Sequence, residues 1–370
     1  MTQVKQHKDP LLRIAKRDAI GRPKAYAIRL IGVLLSLLVS GAFIFAVTKL
    51  NPIQVYNAIF DGAFGTERRS WVTIRDAMML LCIGVGLAPA FKMKFWNIGA
   101  EGQILIGGIV TAGLMRAFGS TLPTPVLLLL MAVMSLLAGC VWGVIPATFK
   151  AVWNTNETLF TLMMNYVAIQ LTSYFVALWE NPIGSNTVGV INQRTRAGWF
   201  PELLGQSYTL NVILVMALAI GMYLYLKYSK QGYEISVVGD SENTARYAGI
   251  NVKKVTIRTM AISGAICGMA GFIEVAGVSH TISTSTAGGR GFTAIIVAWL
   301  AQFNTFVMIL ISFLLVFLQK GATQIASQFN LNDYASNIIT GIILFFILGS
   351  EFFINYRMIL RKKQKGGEQG

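Results

Sequence analysis

The chain has 370 residues, 54% of them hydrophobic and only 13% charged, where a soluble globular protein carries about a quarter. That balance excludes both a soluble domain and a disordered one, and at roughly 20 apolar residues per bilayer crossing it supplies at most about ten crossings. The net charge of +15 lies in short segments beside apolar runs, where it marks one face of a membrane and needs no nucleic-acid partner.

A basic tail, residues 1–29, carries eight Lys and Arg and leads into the first apolar run, 30–47. No small-residue cleavage site follows, so the run is expected to remain as a transmembrane helix. Runs bounded by charge or turn residues then predict spans at 71–91, 95–115, 125–149 and 158–179. Residues 180–208, rich in Asn, Gly, Ser and Thr with Pro182 and Pro201, form a long outer loop of the kind that serves function, here a surface cap facing a partner. Beyond a span at 209–226, the equally long segment 227–258 carries six Lys and Arg and belongs to the inner face. The remaining spans are 259–278, 292–303, 306–318 and 337–354, followed by a second basic tail, 355–370. The eighth and ninth are short enough to be broken or re-entrant, a form tolerated only where protein buries it.

Ten spans make an all-α polytopic membrane protein over residues 30–354. Their even number returns both tails to one face, which then holds 22 Lys and Arg against eight on the other, with Arg75 left inside the second span. By the positive-inside rule that face is cytoplasmic. Glycines at positions 84, 86, 107, 108, 139, 143, 264, 268 and 271 fall inside spans and let helices approach closely in lipid. A weak echo between the second and third spans and the seventh and eighth is compatible with an inverted repeat.

Cys82, Cys140 and Cys267 lie in apolar runs without ligand spacing and read as small buried hydrophobes. His7 and His280 are the two histidines, too few for a His-based triad or zinc site, so no catalytic or metal residues are expected and the chain reads as a non-enzyme. It lacks a G-x-x-x-x-G-K-[ST] loop, so ATP-driven work would fall to a partner.

Ionisable groups within spans are costly and become functional candidates: Glu101, Glu274 and Glu351. They could line a polar path or relay protons. Equally, Glu101 could accept hydrogen bonds at a glycine-broken helix start, and Glu351 could be interfacial. In Asn154-Thr155-Asn156-Glu157-Thr158 the side chains suit a helix start, whereas Asn165, two turns on, needs another helix or a polar substrate as partner. The inner segment holds Asp240-Ser241-Glu242-Asn243-Thr244-Ala245-Arg246-Tyr247-Ala248-Gly249-Ile250. Asp240 or Ser241 can cap a short helix there, Glu242 and Arg246 suit its two ends, and Gly249 can terminate it. Such a helix, exposed between two spans, is shaped to dock into something.

At Asn97-Ile98-Gly99-Ala100-Glu101-Gly102-Gln103, Asn156-Glu157, Leu162-Met163-Met164-Asn165-Tyr166, Gly239 to Val252 and Gly291-Phe292-Thr293-Ala294-Ile295 the sequence resembles the permease subunits of bacterial ATP-binding-cassette importers. The branch is that of the branched-chain amino acid, ribose and nucleoside permeases. The resemblance covers about 71–354 and implies a type II importer fold. It implies that Asp240 to Ile250 is a coupling helix seated in a cleft of an ATPase subunit, and that Asn97, Glu101, Asn165 and Gly291 lie near the translocation path; Glu274 joins them as an intramembrane carboxylate. The implied partners are cytoplasmic ATPase subunits that bind the ATP, a second permease subunit in a heterodimer, and an extracytoplasmic substrate-binding lipoprotein. The implied site of action is the bacterial plasma membrane with both termini cytoplasmic, and no cofactor is expected on this chain. Nucleosides are the leading substrate class. The pair Phe95-Trp96 and the run Ser283 to Gly289 match no particular substrate and leave simple sugars and branched-chain amino acids open. An ion-coupled secondary transporter, with Glu101 and Glu274 changing protonation, is the competing class, but gives the capped inner helix no purpose.

Overall fold

The computed structural model describes residues 12–17, 21–203, 205–331 and 333–360, and these divide into two compact units, 64–317 and the joined segments 1–63 and 318–370.

The larger unit is helical. Helices α3 (Glu67–Lys92), α4 (Ala100–Phe118), α5 (Thr124–Trp153), α6 (Glu157–Trp179) and α7 (Thr209–Tyr228) are followed by two short ones, α8 (Lys230–Asp240) and α9 (Glu242–Tyr247). Then come α10 (Val252–Glu274), continued by a π-helical turn Val275–Ser279, α11 (Arg290–Leu300) and α12 (Thr305–Gln328), of which residues 305–317 belong to this unit. Local chemistry sets the starts: Thr66, Asn156 and Asn251 accept from the backbone N–H groups of Arg69, Leu159 and Lys254, capping α3, α6 and α10. Glu67 and Lys92 complement the two ends of α3.

The core is formed by α3 and α10, whose apolar windows are 83% and 72% buried, against 22–28% for α5, α6 and α7. The latter three therefore present most of their apolar surface outward, as helices facing lipid do. Glycine makes the central packing possible. A Cβ at Gly107 would strike the backbone of Gly268, one at Gly139 the carbonyl of Gly264, and one at Gly271 the carbonyl of Ile104. Here α4, α5 and α10 meet backbone to backbone. Cys82 and Cys267 are buried free thiols and Cys140 is half-buried.

In the smaller unit, α1 (Arg22–Thr48) packs against α13 (Asp333–Asn355), and α2 (Pro52–Phe64) carries Tyr56, whose hydroxyl bonds Ser40 Oγ at 2.9 Å and the carbonyl of Leu37. Strands β1 (Leu12–Lys16) and β2 (Tyr356–Leu360) pair antiparallel, Leu12 opposite Leu360. The pairing sets residues 12–16 alongside residues 356–360.

Each expected span overlaps a helix, and seven helices among the described residues are long and apolar enough to cross a membrane. Boundaries differ from the sequence expectation: the third span, expected at 95–115, is helical only from Ala100, and the seventh, expected at 259–278, begins as α10 at Val252. The eighth span is an 11-residue helix, about 16 Å at 1.5 Å per residue and too short for a hydrocarbon core of about 30 Å. The ninth, expected at 306–318, is the first part of the 24-residue α12, which runs on through Gln319 and Lys320. Helix α1 starts eight residues early, inside the expected tail, and α2 lies where no element was expected. Glu351 falls in α13.

The 180–208 segment is tied to the helices by hydrogen bonds and ring stacking. Asn192 Nδ2 donates to the carbonyl of Met115 at 2.8 Å at the end of α4, Phe200 N to that of Ala276 at 3.0 Å in the π-helical turn, and the Trp199 ring stacks on His280 at 3.7 Å. Burial lowers the His280 pKa below its ordinary value.

Candidate functional site

Between α3 and α4 the chain is irregular over residues 93–99, yet Phe95 and Asn97 are buried. Broken backbone in a membrane domain needs partners for its N–H and C=O groups, and side chains from distant helices provide them. Asn165 on α6 accepts from Gly102 N and donates to the Ile98 carbonyl, both at 2.8 Å. Thr161, one turn earlier, accepts from Ile98 N at 3.1 Å. Asn97 accepts from Gly99 N at 3.0 Å and donates to Ser263 Oγ on α10 at 3.2 Å. Gly99, the residue before α4, has no side chain to cap it; Asn97 and Asn165 hold the start in place.

Glu101 serves a different helix. Its carboxylate oxygens accept from Gly289 N at 2.7 Å and Gly291 N at 2.9 Å, so it caps the start of α11, where Gly289 offers no side chain. A negative charge here also opposes the positive end of the helix dipole. Gly291 is needed for this approach, since a Cβ there would lie 2.6 Å from Glu101 N, and Gly289 sits at φ 74. Four residues singled out from the sequence, Asn97, Glu101, Asn165 and Gly291, therefore gather where α4 and α11 both begin. Their polar atoms are turned onto backbone and onto one another, which fixes the position of the half-length helix α11.

Glu274 stands one step away, at the last residue of α10. It pairs with Arg290, the first residue of α11, at 2.6 Å. On α3, Arg75 pairs with Asp76 at 2.8 Å and donates to the Tyr208 hydroxyl at 3.2 Å. Arg290, Asp76 and Tyr208 escaped the sequence reading. The available signal for Arg290 was an arginine beside a glycine pair in a chain whose intramembrane Glu274 needed a counter-charge. At the α3–α4 junction two aromatic rings are partly exposed: Trp96 and Trp299 stack on each other at 5.1 Å with Phe91 edge-on to both, and are 43% and 46% exposed. Among the described residues no three His, Cys, Asp or Glu side chains gather to hold a metal ion.

At the end of the bundle that carries Lys92 and Lys150, α8 and α9 follow α7 within the segment 227–258. Ser241 ends α8 and caps α9, accepting from Thr244 N at 3.3 Å. Glu242 and Arg246 pair along the helix at 3.3 Å. Ile250 N returns to the Ala245 carbonyl at 2.9 Å and Gly249 N to that of Arg246 at 3.0 Å, with Gly249 at φ 74, a C-terminal turn that glycine adopts without strain. Ala245 is fully buried while Tyr247 is 94% exposed. Of the expected 240–250 helix, Asp240 closes α8, Ser241 is the cap, six residues, 242–247, form α9, and Ala248 to Ile250 make its C-terminal turn; Ala245 seats it on the bundle and Tyr247 is exposed.

Residues 72–348 match the family described as branched-chain amino acid transport system / permease component. The chain is 30% identical to the guanosine ABC transporter permease protein NupP of Bacillus subtilis, over 91% of this chain and 96% of that protein. It is 28% identical to the glucose ABC transporter permease protein TsgB13 of Haloferax volcanii, over 96% of each, and 27% identical to the nucleoside ABC transporter permease protein NupB of Lactococcus lactis, over 89% and 92%. No solved structure matches it. With its multi-pass helical membrane fold, the chain belongs to this family of transport-system permease components.

Proposed function

We propose that the chain is the membrane-spanning subunit of an ATP-driven importer of nucleosides, performing no catalysis itself. The observation that carries the ATP-driven part is α9: a capped six-residue helix with Ala245 seated on the bundle and Tyr247 in solvent, fit to receive force from a separate ATPase. The ATPase subunits bind the ATP, a second permease chain completes the path, and an external binding lipoprotein delivers the substrate. The positive-inside distribution supports placing α9 and both basic tails in the cytoplasm of a bacterial cell, with the chain in its plasma membrane. Force on α9 passes through α8 and α10, and α10 packs on α3, α4 and α5, so a push there moves the core helices that carry the α4–α11 junction.

The nucleoside assignment is supported by the guanosine and nucleoside relatives together with the partly exposed Trp96–Trp299 pair, since bases stack on aromatic rings. The glucose relative, at 28% identity over 96% of the chain, favours a second reading, a simple-sugar importer. Uptake into vesicles carrying the complete transporter separates them. Labelled guanosine is expected to accumulate only with ATP inside, and unlabelled nucleosides to compete where glucose does not. Competition by glucose alone would give the sugar reading, and uptake driven by a proton gradient without the ATPase would reject the ATP-driven one.

A further inference from the structure

Beside α9 lies a cavity of about 310 Å³ that the transport reading does not use. It opens between α9, the turn joining α5 to α6, the α3–α4 junction and the first turn of α10. Four cations line it, Lys94, Lys150, Arg246 and Lys253, with two carboxylates, Glu157 and Glu242. Both carboxylates are already engaged, Glu157 with Lys150 at 3.0 Å and Glu242 with Arg246 at 3.3 Å. Lys94 and Lys253 have no carboxylate partner among the described residues, so the cavity keeps an excess of two positive charges.

Two further features bear on what fills it. Lys94 is held at φ 61, a left-handed conformation that is unfavourable for a non-glycine residue, with Lys94 N bonded to the Phe91 carbonyl and Phe95 N to that of Ala90, both at 2.9 Å. Strain of this kind persists where surrounding structure imposes it, commonly at ligand clamps. In addition, the α5–α6 turn that lines the cavity with Asn154 and Glu157 lines a second cavity, of about 400 Å³, with Thr155 and Asn156. That one is apolar, walled by Leu159, Phe160, Met163 and Val167 of α6. Trp153, 64% exposed, stands at the same turn in an aromatic cluster with Phe149 and Phe160, the residue type that marks a membrane interface. A cationic cavity and an apolar one built on a single interfacial turn match an amphiphile with an anionic head and a hydrocarbon tail.

We propose that this pair of cavities binds an anionic phospholipid, its phosphate between Lys94 and Lys253 and an acyl chain along α6. A lipid held there touches α9 through Arg246 and the α3–α4 junction through Lys94, so the charge of the bilayer acts on the same two elements that the transport reading couples. The assignment does not depend on which substrate is carried.

Binding of short-chain phosphatidylglycerol to the purified full-length chain tests it, with phosphatidylcholine of equal chain length and glycerol 3-phosphate as the other probes. Phosphatidylglycerol is expected to bind about tenfold or more tightly than either, and Lys94→Asn with Lys253→Gln to lose about tenfold in affinity, two interfacial lysines being involved. Lys254→Gln, an equal charge change on the same helix but outside the cavity, is expected to bind as the unaltered chain does. Asn tolerates the left-handed position; should the double variant still fail to fold, Lys253→Gln alone against Lys254→Gln carries the comparison. Equal binding of the two lipids, equal loss in Lys254→Gln and the cavity variants, or glycerol 3-phosphate binding as tightly as phosphatidylglycerol would overturn the lipid assignment.

Discussion

Glu101→Ala is expected to lower the thermal unfolding midpoint of the purified chain by about ten degrees and to abolish uptake. The carboxylate is buried and accepts from Gly289 N and Gly291 N. Its removal strands two amides, each losing a hydrogen bond to a charged group worth about 1.5 to 3 kcal/mol, and in a unit of the size of 64–317 a loss of 1 kcal/mol moves the midpoint by about 2 °C. Glu101→Gln keeps one oxygen acceptor and loses the charge, so its shift is expected to be roughly half as large. Thermal unfolding in detergent reads both variants. An Ala variant within about two degrees of the unaltered protein would mean that Glu101 does not hold the start of α11. A proton-relay role makes a different prediction, because Gln would then abolish uptake as completely as Ala while leaving the unfolding midpoint in place.

The second large effect is expected at Arg290. Arg290→Met leaves the Glu274 carboxylate buried with its 2.6 Å partner gone, and breaking a buried pair from one side costs about 3 to 5 kcal/mol. The lower figure applies because Arg290 is partly exposed. Replacing both partners, Arg290→Met with Glu274→Leu, removes the stranded charge and is expected to recover most of that loss, because a buried pair contributes little beyond its own desolvation. Stabilities of the two single variants and the double variant, taken as a cycle, decide the matter. A double variant no more stable than Arg290→Met would show that the cost lies in packing around α11 rather than in the unpaired carboxylate.

Hydropathy located the helices because crossing a bilayer demands long apolar runs, and that demand is local. It failed where the demand relaxes. Asn57 and Asp61 interrupt the apolar character of α2, which is only 13 residues long, and Gln319 and Lys320 seemed to end a span that in fact continues as α12. The inner helix was legible for the same reason as the spans: Ser241, Glu242, Arg246 and Gly249 act within one turn of their own backbone. The α4–α11 junction was legible only in part. Glu101 read as an acceptor at a glycine-broken helix start, and the nearest such start was its own, α4. The amides it meets belong to Gly289 and Gly291, 188 and 190 residues on, a pairing set by the packing of α4 against α11 and α10, which periodicity does not encode. Arg290 escaped for the same reason, since its partner Glu274 lies across the interrupted segment 280–289.

Helix α9 is expected to be the point where a separate ATPase acts, and site-directed crosslinking in native membranes tests that directly. With Tyr247→Cys in the assembled transporter, a cysteine-reactive crosslinker is expected to join this chain to the ATPase subunit, with a yield that changes when a non-hydrolysable ATP analogue is added. Labelling of that cysteine from the outside of intact cells, or a full yield of crosslinks that never includes the ATPase, would contradict it.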